Sequence, residues 1–310
     1  MNTARENAYA KLNLTLQITG KDGEYHALDS LVCTLDLSDR VIVTRRKDSL
    51  VGVKMHGMGS ETIPPETNNA QRAGEAFVSS FGTKGAEITV YKNIPMGGGL
   101  GGSSADAAAV LRAMAKLYSV TDNAALKALA DSLGSDTGYL LQGGFCRMTG
   151  RGNEVESLGA CPTFYALLIC PEEGVSTPKC YARYDELTEG KTGAHADTAA
   201  TLALLKEGRQ AEFFRSLKND LYEAACSLNG DVKKAVEEAQ SFSPLAAGMS
   251  GSGSTAFALF ETRELAEWAK SRYRGKFRTV IAKTADPQDN QTKKLWRNPF
   301  VLFEDEGENE

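Results

Sequence analysis

Between Asn93 and Asp106 the chain reads Asn-Ile-Pro-Met-Gly-Gly-Gly-Leu-Gly-Gly-Ser-Ser-Ala-Asp, and five of the six residues from Gly97 to Gly102 are glycine. Glycine reaches positive φ and lets backbone approach a ligand without a Cβ in the way, but it raises the entropic cost of folding. The return is a row of backbone N–H groups free to converge on an anion. Pro95, Met96, Gly97, Gly98, Gly99, Leu100, Gly101, Gly102, Ser103 and Ser104 therefore read as a phosphate-holding loop. The run Ala105 to Tyr118 follows with Val110, Leu111, Met114 and Leu117 at helical spacing, and Ser104 or Asp106 is expected to cap its start. A helix N-terminus adds unpaired N–H groups and the positive end of the helix dipole. Neither G-x-x-x-x-G-K-[ST] nor a dinucleotide fingerprint with its acidic residue is present.

Other residues capable of chemistry are ambiguous by themselves. A second small-residue cluster, Gly248-Met249-Ser250-Gly251-Ser252-Gly253, is a flexible turn alone, but with the first loop it can close on the other side of one phosphate chain. Lys11 and Asn13 fall on the polar face of an alternating strand and read as solvated. Asp136 stands where a helix N-cap is expected, as does Asn68. Tyr25 and His26 lie at a turn as an edge aromatic and a surface imidazole, and Tyr181 reads as a core aromatic.

The elements that must position these groups alternate between strand and helix. Ala10, Leu12, Leu14, Leu16 and Ile18 define a half-buried strand, Gly20 to Glu24 a turn, and Leu31 to Leu37 a second strand suited to a hairpin. Val41 to Val43 and Leu50 to Val53 suggest two more. A helix over 68–81 and a strand over 87–91 lead into the glycine loop, and a helix over 122–133 follows it. Gly143-Gly144 and Gly150-Arg151-Gly152 flank a strand; the pattern then restarts at Cys161-Pro162. The second half has strands at 164–170, 256–260 and 277–283 and helices at 198–206, 210–217, 231–240 and 264–272.

At 310 residues and 42% apolar content, the chain can bury one large core or two modest ones, and two domains are expected. A net charge of -5 argues against nucleic acid as a partner. Six scattered Cys without a C-x-x-C pair read as reduced thiols, and three distant His suggest no zinc site. The absence of an apolar run of about 18 residues fits a soluble, cytoplasmic protein with no membrane partner.

The glycine loop resembles the second motif of the GHMP kinase superfamily, P-x-G-x-G-L-G-[GS]-S-[AS], and the later cluster resembles its third, G-x-S-G-S-G. Ala10-Lys11-Leu12-Asn13-Leu14, Asp22-Gly23-Glu24-Tyr25-His26, Gly134-Ser135-Asp136, Gly150-Arg151-Gly152 and Ser176-Thr177-Pro178-Lys179-Cys180-Tyr181 are similar to one branch, whose members phosphorylate a cytidine-diphosphate-linked methylerythritol. The resemblance covers about 8–283 and implies an α+β fold, with an S5-like N-terminal domain over 1–160, a ferredoxin-like C-terminal domain over 161–285 and an acidic tail over 286–310. It implies ATP and Mg²⁺ as cofactors, Asp136 as catalytic base and Lys11 as its partner. Asn68 would serve adenine, Asn13, Tyr25, His26 and Tyr181 the cytidine substrate, and the protein would be a monomer or weak homodimer. Departures are Tyr9 for Pro, the inserted Glu24, Ser103 for Gly and Gly138 for Pro, expected to loosen the backbone at Asp136. A kinase for another alcohol, such as homoserine or mevalonate, and a nucleotide-binding protein without turnover remain as alternatives.

Overall fold

A computed structural model describes residues 2–23, 25–57, 64, 67–188 and 195–286. One strand organises the first half. β3 (Tyr25–Arg45) is 21 residues long and pairs antiparallel with β1 (Thr3–Asn13) over 32–44 and with β2 (Gln17–Asp22) over 25–29. It also pairs antiparallel with β5 (Ala86–Tyr91) over 40–45 and β6 (Phe145–Gly150) over 28–33. Because a strand has only two edges, β1 and β2 lie end to end along one and β5 and β6 along the other. β4 (Val51–His56) joins β5 in parallel, and β7 (Glu154–Gly159) joins β6.

The separate strand expected over Val41 to Val43 is instead the end of β3. Ser38-Asp39-Arg40 looks like a break in the apolar pattern, yet Asp39 is fully buried and accepts from the backbone N–H groups of Asn93 and Ile94. A polar residue placed to hold a neighbouring loop has the same sequence signature as a turn.

α1 (Asn69–Phe81) makes the crossover between β4 and β5. α2 (Gly102–Tyr118) runs against β1, β3 and α1, burying Ala105, Ala107, Ala108, Ala109 and Ala113 together with Val110, Leu111, Met114 and Leu117. Small side chains on several faces allow sheet and helices to approach α2 at once. α3 (Asn123–Leu133) and α4 (Ser135–Gln142) complete this half.

The second half is a four-stranded antiparallel sheet, ordered β11 (Arg278–Lys283), β8 (Tyr165–Cys170), β10 (Ala256–Phe260), β9 (Ala246–Met249). Alternation explains why β8 and β10 are apolar throughout. Ala166, Leu168, Cys170, Phe257 and Leu259 join the core of the first half, while Leu167, Ile169, Ala256, Ala258 and Phe260 face a second core with Val232 and Val236. The latter two belong to α9 (Gly230–Gln240). α5 (Thr177–Thr188), α6 (Thr198–Lys206), α7 (Gln210–Ser216), α8 (Tyr222–Leu228) and α10 (Arg263–Arg272) account for the other helices. Glu24 and the acidic tail beyond Asp286 lie outside the described residues.

Candidate active site

The glycine loop joins β5 to α2, and Gly97, Gly99 and Gly101 take φ of 66°, 76° and 72°. Neither Ser104 nor Asp106 caps α2, contrary to the expectation from spacing: the N-cap is Gly101, which has no side chain to offer. The first amides of the helix are thus left without a side-chain acceptor, as an anion site requires. Asp106 is buried inside α2 and accepts from Lys92 Nζ at 2.6 Å, while Lys92 also donates to Asp39. One lysine lies between two buried carboxylates. Burial pushes the Asp106 carboxyl well up; Lys92 opposes this and Asp39 adds to it. With Asp39 holding Asn93 and Ile94, the trio fixes where the loop begins.

The second glycine cluster packs directly on the first rather than across a gap. Thr255 N donates to Gly98 O at 3.1 Å, and Ser250 Oγ donates to Gly99 O at 3.0 Å. A Cβ on Gly98 would lie 2.2 Å from Thr255 Oγ1, and one on Gly99 would lie 2.1 Å from Ser250 O. Gly251, Ser252 and Gly253 reach the same cavity, but Gly248 does not: it is part of β9, packed over the Phe257 ring. Asn219 secures this loop by donating from Nδ2 to Met249 O at 2.9 Å and Gly251 O at 2.8 Å.

Lys11 and Asn13 are buried, not solvated, at 5% and 7% exposure. The β1–β3 register shifts between Tyr9 and Lys11, and Lys11 N then donates to Leu100 O at 2.9 Å, tying the strand to the glycine loop. Lys11 Nζ donates to Asn13 Oδ1 and lies 3.5 Å from Asp136 Oδ2; Asn13 Nδ2 donates to Ser30 Oγ at 2.8 Å. Asp136 is in the first turn of α4, and Gly134 takes the N-cap position, so the capping reading fails. Gly138 is buried within α4, where a Cβ would fall 1.9 Å from Asp131 Oδ1. The nearest atom to that position is the end of the Asp131 side chain on α3. Asn68 does cap α1, accepting from Ala70 N at 2.9 Å and from Gln71 N, and it also lines the cavity.

At the other end of the cavity, His26 stacks on Tyr181 with ring centroids 4.8 Å apart and planes at 29°. Its Nε2 lies 2.7 Å from Asp185 Oδ1. Tyr25 is exposed, with the Arg151 guanidinium 4.3 Å above its ring. Burial, and then the Asp136 carboxylate, push the Tyr181 phenol upward, so it is neutral near pH 7. All of these side chains line one cavity of about 1270 Å³ with the glycine loop, Lys11 and Asp136.

Comparison with known proteins adds to this geometry. The family model for the GHMP kinases N terminal domain matches residues 68–144, and that for the GHMP kinases C terminal matches 201–279. A 4-diphosphocytidyl-2-C-methyl-D-erythritol kinase of Desulfitobacterium hafniense (strain Y51) is 38% identical over 276 residues, covering 86% of this chain and 92% of the relative. The chain belongs to the GHMP kinase family. A Mycolicibacterium smegmatis relative of the same name is 36% identical over 252 residues, covering 79% of this chain and 78% of that protein. A crystal structure of 4-(cytidine 5'-diphospho)-2C-methyl-D-erythritol kinase superposes with TM-score 0.73 at 29% identity, over 90% of this chain and 98% of the other. The α+β arrangement described above is thus the two-domain GHMP kinase fold.

For this GHMP kinase the sequence left four positioning residues unread. Lys92, Asn219 and Asp185 act on other site residues across 14 to 159 positions of chain, too far for any local pattern. The signal for Asp185 was nevertheless present, since it follows Tyr181 by four residues on α5 and so shares its face. Arg151 was visible within Gly150-Arg151-Gly152, but its stacking on Tyr25 was not. Among the described residues, no group of three or more His, Cys, Asp or Glu could hold a metal ion.

Proposed function

We propose that this chain is an ATP-dependent kinase that phosphorylates the 2-hydroxyl of 4-(cytidine 5'-diphospho)-2-C-methyl-D-erythritol, an isoprenoid precursor. The observation that carries this reading is one continuous cavity holding the glycine loop at one end, the Lys11–Asp136 pair between, and the Tyr25, His26 and Tyr181 cluster at the other. The loop suits a polyphosphate because the amides that open α2 have no side-chain acceptor, while Gly98 and Gly99 let the second glycine cluster pack against it. ATP, when bound, supplies the phosphoryl group, with its accompanying Mg²⁺ offsetting charge. Asn68 would border the adenine, and the Gly97 to Ser104 amides the phosphates.

Phosphoryl transfer asks the protein mainly for position and charge. Asp136 accepts the hydroxyl proton on its carboxylate. Lys11, held by Asn13 and by the backbone bond to Leu100, keeps that carboxylate aimed and offers positive charge near the transferring group. Tyr25 and Tyr181 offer ring faces to the base, and His26 its polar edge. The reading includes a boundary near 160, a tail over 286–310, a cytoplasmic location, and a monomer or weak homodimer. No described helix is long and apolar enough to cross a membrane.

ADP release measured with the cytidine substrate, free methylerythritol, homoserine and mevalonate tests the proposal. Turnover only of the first is expected, and turnover of another alcohol without it would refute the reading. Asp136→Asn and Lys11→Met should each lower kcat about 10²-fold or more while leaving nucleotide binding intact. Turnover of Asp136→Asn within about threefold of the parent would remove Asp136 from the chemistry, since that is under 1 kcal/mol.

A further inference from the structure

A histidine can read a base edge only if its proton stands on a known nitrogen. In His26 one nitrogen is already committed: Nε2 lies 2.7 Å from Asp185 Oδ1, while Asp185 Oδ2 accepts from Lys21 Nζ at 2.8 Å. Both carboxylate oxygens are in use. Burial works against the Asp185 anion, but the bonds from Lys21 and His26 hold its carboxyl below the ordinary value. A carboxylate has no proton to give, so the hydrogen in the bond belongs to Nε2. The ring is also held in orientation, face to face with Tyr181 and edge-on to Tyr184 at 6.3 Å between centroids. Tyr181, Tyr184 and Asp185 all stand on α5, so one helix fixes the imidazole on three sides.

We infer that Asp185 is a positioning residue for substrate choice: it sets His26 as the Nε2–H tautomer and leaves Nδ1 as an acceptor for the exocyclic amine of cytidine. The inference rests on the reading that the substrate carries a cytidine. Cytosine presents an N–H donor at its 4-position. Uracil has a carbonyl there, and two acceptors facing each other leave both unpaired. Stacking alone gives no such choice, because every base has a π-face. Asp185 thus turns a neutral ring that can donate or accept at Nδ1 into one that only accepts. The pair is remote in sequence, with 159 positions between His26 and Asp185, and it joins the β2–β3 hairpin to α5.

The experiment uses the full chain with ¹⁵N-labelled histidine. Only three histidines are present, so His26→Gln identifies the His26 signals by their loss. At mildly alkaline pH the parent should show His26 protonated at Nε2 alone. In Asp185→Asn, whose amide can present either oxygen or nitrogen to the ring, the pattern should become mixed. The kcat/KM ratio for cytidine-linked over uridine-linked substrate should fall about tenfold, mostly through KM, with kcat nearly unchanged. A His26 ring protonated at Nδ1 in the parent, or a base preference unchanged in Asp185→Asn, would overturn the assignment. If Asp185→Asn fails to fold, the parent spectrum alone decides. A parent that turns over neither nucleotide-linked alcohol would sink the cytidine reading instead, and the nitrogen spectrum would still decide the tautomer.

Discussion

Gly101→Ala gives the most direct measure of how the glycine loop and the proposed catalytic pair depend on each other. Gly101 has φ of 72° and is the N-cap of α2; a Cβ there would lie 2.9 Å from Lys11 Cγ and 3.2 Å from Leu140 Cδ1. Gly82, at the C-cap of α1, has φ of 60° with nothing within 4 Å of the added carbon. Both substitutions carry the left-handed backbone cost of about 1 to 2 kcal/mol. Only Gly101→Ala adds overpacking, about 1 to 3 kcal/mol in a dense interior. Subtracting the two isolates the contacts with Lys11 and Leu140. The Lys11 stem must also shift, moving the ammonium now 3.5 Å from Asp136, and displacement near 1 Å can cost about 10²-fold in rate. Urea unfolding of both variants and ADP release under saturating substrates give the two readouts. Equal destabilisation by the two substitutions, with kcat for Gly101→Ala at the parent level, would refute the argument that the glycine exists to admit Lys11.

Two further outcomes follow from buried groups. Lys92→Met leaves Asp39 and Asp106 without their cation and should destabilise by about 3 to 5 kcal/mol in urea unfolding. Asp106→Asn should cost less than Lys92→Met, because burial favours the neutral form of Asp106 and the amide keeps its size. A carboxyl raised in the folded state favours folding fully below its unfolded value and loses that contribution as pH climbs through the folded value. Asp106→Asn should therefore flatten the decline of stability with rising pH, and an unchanged slope would count against the raised carboxyl. Burial pushes the thiols of Cys146, Cys170 and Cys180 to about 11, so they should resist iodoacetamide at neutral pH in the folded protein and label in urea, as read by mass spectrometry.

Elements with strong periodicity were legible: the helices at 105–118 and 122–133 and the apolar strands at 164–170 and 256–260 all appear within a few residues of their expected ends. α8 and β9 were not. α8 is seven residues, and β9 is Ala-Ala-Gly-Met, without a β-branched residue to mark it. Among candidate site residues, the glycine run marked a sharp turn into a helix by itself, whereas Lys11 and Asn13 on alternation alone pointed to solvent. Alternation assumes one wet face, and here α4 and both glycine loops cover that face of β1. Asp136 and Lys11 come together only through tertiary structure, so their spacing carried no signal of a pair.

Three of the departures from the family pattern, Tyr9, Ser103 and Gly138, lie among the described residues, and each has a local contact. Tyr9 stands where proline is usual, and its hydroxyl accepts from Asn7 Nδ2 at 3.1 Å one step before the register shift that aims Lys11 inward. Ser103 replaces a glycine at the start of α2, where its Oγ accepts from Asn69 Nδ2 at 3.3 Å and links the glycine loop to the helix capped by Asn68. Gly138 replaces proline in α4, and the space so opened is taken by Asp131, whose carboxylate is held by Lys127 at 2.7 Å. A proline would bring its ring carbons to that carboxylate, which would have to turn aside. Asp136 stands two residues before this contact, in the first turn of α4. The backbone of α4 therefore places Asp136, and Lys11 Nζ, 3.5 Å from its carboxylate, is the charge that faces it.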